Sequence, residues 1–170
     1  GVSVSLFSDR ALVGAQFDDD NGSNSGSAYV FSRTGTTWTQ EAKLTAADGA
    51  ADDRFGFSVS LVSDRALIGA YGDDDLGSQS GSAYVFSRNG TMWNQEAKLK
   101  ATDGASSDQF GHSISLGSDR ALVGSWLDDT AAGVDAGSAY VFSRTGTAWS
   151  QEAHITPLDG AASDNFGWSV

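Results

Sequence analysis

The chain lacks cysteine and contains a single proline among its 170 residues. The absence of cysteine excludes disulfides, thiolate metal ligands and a thiol nucleophile. Basic residues are scarce, because ten Lys and Arg face 22 Asp and Glu, and the formal net charge of −12 repels phosphate backbones. The sequence also has no apolar run of the length that crosses a bilayer. We therefore expect no nucleic-acid partner and no membrane insertion.

Glycine, by contrast, is abundant, with 21 copies. Serine, aspartate and threonine are frequent in the sequence around these glycines. This composition is typical of short strands that are joined by tight turns. It favours an all-β fold.

A repeat of about 55 residues runs through the whole sequence. The segment SDRAL begins at residues 8, 63 and 118, and GSAYVFSR begins at residues 26, 81 and 137. The last spacing is one residue longer because of an insertion near Ala132. The chain therefore divides into units 1–55, 56–110 and 111–166, with the start of a fourth unit at 167–170.

Each unit is expected to contain four strands, which we call a to d. In the second unit, strand a (57–61) alternates apolar residues with serine, while strands b (65–70) and c (82–87) are apolar on both faces. Strand d (92–99) alternates again. A four-stranded antiparallel sheet repeated at this period is typical of propeller blades.

Strand d carries repeated charged and aromatic residues. Strict alternation places Glu96 and Lys98 on one face, with Trp93, Gln95 and Leu99 on the other. We therefore expect the glutamates to pair with the lysines or histidine two residues further on. The repeated tryptophans are expected to pack against the neighbouring sheet.

The segments FGFSVSL, ALIGA and GSAYVFSR resemble the FG-GAP repeat, the blade unit of integrin α-chain propellers and of many bacterial secreted proteins. The resemblance covers essentially the entire chain. It implies three four-stranded antiparallel blades, as an incomplete ring or as part of a larger propeller, because closed propellers have roughly four to eight blades. It also implies a secreted, extracellular or cell-surface protein that acts in adhesion or assembly without catalysis. The calcium loop of integrin blades is reduced here to SDR, so those calcium sites do not transfer.

Acidic residues concentrate in the loops after strands b and d, whereas arginines mark the opposite face. Aspartate runs in such loops are usually solvated turns. A Ca²⁺ site is the alternative reading, since hard cations need several converging carboxylates, although no cofactor is required. The candidate metal ligands are Asp18, Asp19, Asp20, Asp73, Asp74 and Asp75.

No catalytic constellation recurs among the units, and the two histidines, His112 and His154, have no repeated partners. We therefore expect no enzymatic activity. The alternative is a carbohydrate-binding lectin or a glycan-active enzyme that uses the acidic loop face, with Trp126, Asp128 and Asp129 contacting the ligand. Two sequons, at Asn21 and Asn89, match the N-glycosylation pattern.

Three blades cannot close a ring, so we expect either that further blades come from a longer parent chain or that the chain associates with a protein partner or with itself through the blade edges. Residues 166–170 are expected to add a strand to an incomplete sheet of a neighbouring molecule. Stacking of the acidic face on the arginine face would instead build a filament that high salt weakens.

Overall fold

The computed structural model describes residues 1–170. It contains twelve strands and no helix, so no helix could cross a membrane. The strands are β1 (Ser3–Phe7), β2 (Arg10–Ala15), β3 (Ser27–Thr34), β4 (Thr37–Leu44), β5 (Ser58–Val62), β6 (Arg65–Ala70), β7 (Ser82–Asn89), β8 (Met92–Leu99), β9 (Ser113–Leu116), β10 (Arg120–Ser125), β11 (Ser138–Thr145) and β12 (Ala148–Ile155).

These strands form three antiparallel sheets of four strands, each a simple meander. The first sheet contains β1–β4, the middle sheet β5–β8 and the third sheet β9–β12, and none of them closes on itself. The predicted all-β fold with three four-stranded antiparallel sheets is therefore confirmed. Each sheet contains all four strands, a to d. No sheet therefore lacks the strand that we expected residues 166–170 to supply.

The sheets stack side by side, and we call the face that meets the preceding sheet the leading face and the opposite one the trailing face. One core lies between the first and middle sheets, where Leu12 and Val30 meet Leu61, Ile68 and Phe86. The second core, between the middle and third sheets, repeats this arrangement. Its equivalent residues are Leu67, Val85, Leu116, Val123 and Phe142.

A Phe-Gly pair carries the chain from one sheet to the next. Phe55 is buried and packs edge-on against Tyr84 at 5.4 Å and Phe86 at 5.9 Å between ring centroids. Gly56 follows with a φ of 87°, which glycine adopts without strain, and a Cβ there would collide with the carbonyl of Ser27. The Phe-Gly sequence is thus a consequence of how the sheets join.

Strand d does not alternate as predicted, because a β-bulge interrupts its pairing with strand c. In the middle sheet Val85 lies opposite Ala97 and Phe86 lies opposite Gln95, so Glu96 is the extra residue. A bulge shifts the side-chain pattern by one. Glu96 therefore faces the third sheet, whereas Lys98 reaches Asp48 of the first unit. The expectation that Glu96 and Lys98 share a face was wrong.

Candidate interaction surfaces

Strand d of each inner interface buries a glutamate against the next sheet. Glu41 lies on the trailing face of the first sheet, and its side chain is 7% exposed. Its Oε1 accepts hydrogen bonds from Arg88 Nε at 2.6 Å and Trp93 Nε1 at 2.9 Å, both on the middle sheet. We call this trio of glutamate, arginine and tryptophan the inter-sheet clasp.

The clasp recurs at the second interface. Glu96 Oε1 accepts from Arg144 Nε at 2.6 Å and from Trp149 Nε1 at 2.8 Å. Burial alone would raise the pKa of Glu96, but the hydrogen bonds from Arg144 and Trp149 outweigh it and hold that pKa below its ordinary value. The expected pairing of these glutamates with lysine was wrong, since each one reaches across to the following sheet. The predicted packing of Trp93 and Trp149 on neighbouring sheets is confirmed.

At each end of the array, one half of a clasp lacks a partner on a neighbouring sheet. On the trailing face of the third sheet, Glu152 is 42% exposed and binds only Arg120 of its own sheet, at 3.1 Å. On the leading face of the first sheet, the side chain of Arg33 is 46% exposed and binds only Asp9 of its own sheet, at 2.8 Å. Trp38 beside it is also exposed, with the guanidinium 6.0 Å from its ring centroid. The two ends therefore present complementary halves of one clasp.

Apolar side chains are bare on the same two faces. Val4 and Leu6, on the leading face of the first sheet, are 74% and 68% exposed. Leu61, which is equivalent to Leu6, is 3% exposed because the first sheet covers it. On the trailing face of the third sheet, Ile155 and Phe166 are exposed. Exposed apolar patches of this kind mark interaction surfaces.

The aspartate runs after strand b are structural. The first aspartate of each run accepts a hydrogen bond from a strand c tyrosine, as Asp18 does from Tyr29 at 2.6 Å. This bond lowers the pKa of Asp18 and raises that of Tyr29. The second aspartate caps the loop, as Asp74 does by accepting the backbone N–H of Gln79 at 2.6 Å. The equivalent bonds are Asp73 with Tyr84, Asp128 with Tyr140, Asp19 with Asn24 and Asp129 with Asp135.

The third aspartate binds a lysine of strand d, as Asp20 binds Lys43. Lys98 lies among three carboxylates, those of Asp48, Asp73 and Asp75. Burial alone would lower its pKa, but the hydrogen bonds to these aspartates raise it.

All six aspartates considered for Ca²⁺ therefore have protein partners. No three acidic, histidine or cysteine side chains are arranged to hold a metal ion. The calcium hypothesis gains no support from this geometry.

Two other aspartates are buried where successive sheets meet. Burial raises the pKa of Asp53 to about 6, although its hydrogen bond from the backbone N–H of Ala50 opposes that shift. Asp108 has the same pKa of about 6, the same cause and an equivalent bond from Ala105. Neither carboxyl was singled out in the sequence, because only the packing of the next sheet distinguishes them from the solvated aspartates.

The residues predicted to contact a ligand have separate partners. Trp126 Nε1 donates to Gln109 Oε1 at 2.9 Å, and its ring packs on His112 and on Trp168. The other two residues, Asp128 and Asp129, are engaged in the loop bonds already described. They do not form a common pocket with Trp126. Burial lowers the pKa of His112 within this row of rings.

In the third unit His154 replaces the strand d lysine. It stacks on Tyr140 at 4.4 Å, and its ring nitrogens lie 3.3 Å from Asp103 and 3.2 Å from Asp128. The two sequon residues, Asn21 and Asn89, are exposed.

The clasp could have been found in the sequence from the use of glutamate. The chain contains only three glutamates, Glu41, Glu96 and Glu152, and all of them occupy the same repeat position, whereas aspartate supplies every other carboxylate. Because no unit has the shorter aspartate at this position, the side chain there needs the extra length of glutamate to reach the next sheet.

Comparison with known proteins supports the repeat reading. The FG-GAP repeat model matches residues 1–31, 38–86, 93–142 and 149–170. The two longest matches begin on strand d of one sheet and end on strand c of the next, so each spans an inter-sheet core. A search of curated protein sequences found no significant match. Since the matched segments cover nearly all of its length, the chain belongs to the FG-GAP repeat family.

Proposed function

We propose that the chain is an extracellular or cell-surface module of the β-propeller type that binds proteins and does not catalyse a reaction. The observation that carries this proposal is the pair of bare sheet faces. Leu6 and Glu152 are exposed at the two ends, while their counterparts in the inner interfaces are buried. A face with this composition is suited to bind another sheet.

The chemistry of the remaining polar groups agrees with a role in binding. The two carboxyls with raised pKa values, Asp53 and Asp108, accept backbone hydrogen bonds that shape loops. The histidines pack against aromatic rings, His112 on Phe57 and His154 on Tyr140. These groups support the architecture, and none is paired with a nucleophile.

The test combines a glycan array and a hydrolase panel with the double variant V4D/L6D. Because Val4 and Leu6 are exposed, this variant should keep the circular dichroism spectrum and unfolding midpoint of the parent chain. It should lose association with protein partners. We expect neither tight sugar binding nor turnover. Detection of either one would overturn the proposed function.

A further inference from the structure

We propose that a cavity between the middle and third sheets binds a small monocarboxylate. The cavity lies on the arginine face, where the turns from strand a to b and from strand c to d emerge, and it has a volume of about 370 Å³. It is built from two inner sheet faces. The proposed function concerns the outer faces, so the two proposals can fail separately.

Charged and hydroxyl side chains line this cavity. The charged ones are the guanidinium groups of Arg65, Arg88 and Arg144 and the carboxylates of Asp64 and Glu96, and three hydroxyl side chains complete the lining. Three positive groups against two negative ones leave one net positive charge, although the chain as a whole carries −12. The cavity walls are therefore matched to an anion of single charge.

The first interface shows which group occupies the equivalent position there. The carboxylate of Asp64 lies between two arginines, with Oδ1 3.3 Å from Arg88 Nη1 and 3.8 Å from Arg10 Nη1. Glu41 joins the same two arginines, since its Oε1 is 2.6 Å from Arg88 and its Oε2 is 3.3 Å from Arg10. Two guanidinium groups are thus balanced by two carboxylates.

The second interface has only one of these two carboxylates. Asp119 is the counterpart of Asp64, but its side chain is 67% exposed and its one ion pair is with Arg120 of its own sheet, at 3.6 Å. Glu96 remains, and it binds Arg144 through both oxygens, at 2.6 and 3.1 Å. No oxygen of Glu96 is therefore left for a second arginine.

Arg65 consequently has no acidic partner. Its Nη1 donates to the carbonyl of Ser118 at 2.8 Å, while its buried Nε has no hydrogen-bond acceptor. A buried donor without an acceptor is costly. The equivalent arginines donate Nε to the strand d glutamate of their own sheet, Arg10 to Glu41 at 3.3 Å and Arg120 to Glu152 at 3.1 Å. Arg65 thus lacks the negative charge that its counterparts contact.

The turn that carries Asp119 differs from the turns of the other two units. Ser63 has a φ of 55° in the second unit, whereas the equivalent Ser118 has no positive φ. Strand a of the third sheet also ends one residue earlier, before Gly117, which replaces a valine of the second unit. The altered turn places the Asp119 side chain in solvent and away from the cavity.

A ligand carboxylate supplies the group that Asp119 does not provide. Arginine binds carboxylates through two parallel N–H···O bonds, and such charge-assisted bonds are among the strongest in proteins. A carboxylate between Arg65 and Arg144 restores the ratio of two carboxylates to two guanidinium groups found at the first interface. The hydroxyls of Ser87 and Thr147 line the same cavity and are further donors to the ligand.

Titration of the ¹⁵N-labelled chain with sodium acetate tests the site. The arginine Nε–H resonances are followed by NMR while sodium chloride holds the ionic strength constant. We expect a saturable shift of the Arg65 and Arg144 signals and none of the Arg10 signal, because Asp64 already contacts Arg10. Sulfate should bind at least about tenfold more weakly, since the lining does not balance its second charge.

Three variants sharpen the titration, and circular dichroism checks the folding of each. R65Q should raise the dissociation constant of acetate at least about tenfold. D64A removes the internal carboxylate of the first interface, so the Arg10 signal should now respond to acetate. R54Q is the matched control, because it makes the same change of charge outside the cavity and gives the residue found at the equivalent Gln109. It should leave the dissociation constant unchanged.

The site is overturned if acetate does not shift the Arg65 signal saturably or if it shifts the Arg10 signal of the parent chain equally. Tighter binding of sulfate than of acetate, or unchanged acetate binding by R65Q, would also overturn it. Because D64A gains a response, an unaltered Arg10 signal in that variant contradicts the site even where R65Q does not fold. None of these results bears on the proposed function, which V4D/L6D and the sugar assays test.

Discussion

The middle sheet and the two outer sheets have nearly the same sequence and the same four strands, yet only the middle sheet is covered on both faces. Leu6 of the first sheet is 68% exposed and Leu61 of the middle sheet is 3% exposed, although both occupy one position of strand a. In this protein the burial of a side chain therefore depends on whether a neighbouring sheet covers it. Stability is then a sum of contributions from sheets and from the interfaces between them, as in other repeat proteins.

The same difference extends to charged groups. Asp53 and Asp108 are buried by a following sheet, whereas the equivalent Asp164 is exposed. Glu41 and Glu96 are enclosed in clasps, whereas Glu152 is open. Equivalent pairs of residues therefore serve as matched controls for one another.

The largest expected difference lies between two leucines. Leu61→Ala should lower the free energy of unfolding by about 2–5 kcal/mol, because it removes buried methyl groups and leaves a cavity. Leu6→Ala should lower it by less than about 0.5 kcal/mol. Urea unfolding of both variants measures the difference. Equal losses would mean that the inter-sheet core does not stabilise the protein.

The clasp should show the next largest difference. Glu41→Gln removes the charge that faces Arg88, and we expect a loss of roughly 2–3 kcal/mol in the free energy of unfolding. Glu152→Gln should change it by no more than about 0.5 kcal/mol, because that pair is exposed. Chemical denaturation at pH 7 checks both values. A Glu152→Gln variant as unstable as Glu41→Gln would contradict the role assigned to the clasp.

The pH dependence of Glu41 provides a further check on the same variant. Burial raises its pKa, but the bonds from Trp93 and Arg88 outweigh burial and leave that pKa below its ordinary value. The clasp contribution is thus present at neutral pH and is lost as pH falls through the lowered folded-state pKa. The difference between the parent chain and Glu41→Gln should accordingly shrink in acid.

Asp53 should behave in the opposite way. Its pKa is raised to about 6 in the folded protein, so the stability linked to its protonation is present below its ordinary value of 3.8 and is lost as pH rises to about 6. Asp53→Asn should therefore stabilise the protein at pH 7 by about 1–3 kcal/mol and have little effect at pH 3.5. Asp164→Asn, at the equivalent exposed position, should leave the free energy of unfolding nearly unchanged at both pH values. Unfolding curves at the two pH values decide the outcome, and equal behaviour of the two variants would refute it.

The smallest difference concerns a single hydrogen bond. Ser60→Ala leaves the backbone N–H of Leu116 without its partner and should cost about 1 kcal/mol. Ser115→Ala, at the equivalent exposed position, should be nearly neutral. Thermal unfolding resolves the two variants. A neutral Ser60→Ala would show that this contact is dispensable.

Much of the fold could be predicted from the sequence because each strand is a local pattern. The apolar run of strand b reads as a strand covered on both faces, and Ala66, Leu67 and Ile68 are indeed buried. The bulge at Glu96 could not be predicted, because one extra residue in a strand leaves no local mark. The residues after the bulge, Ala97 to Leu99, were therefore assigned to the wrong faces relative to Trp93 and Gln95.

The interaction surfaces were predicted only in outline. Association through blade edges was expected from the count of three units, but its chemistry was not. The contact between Glu41 and Arg88 joins residues 47 positions apart and depends on how two sheets stack. The loop roles of Asp18 and Asp19 depend on bonds to Tyr29 and Asn24 that composition does not reveal.

Hydrogen exchange measured by mass spectrometry tests the central claim most directly, namely that a sheet face is stabilised by the sheet that covers it. We predict the slowest exchange in β6 and β7 of the middle sheet, and faster exchange in β1 than in its equivalent β5. Equal exchange in β1 and β5 would contradict the account.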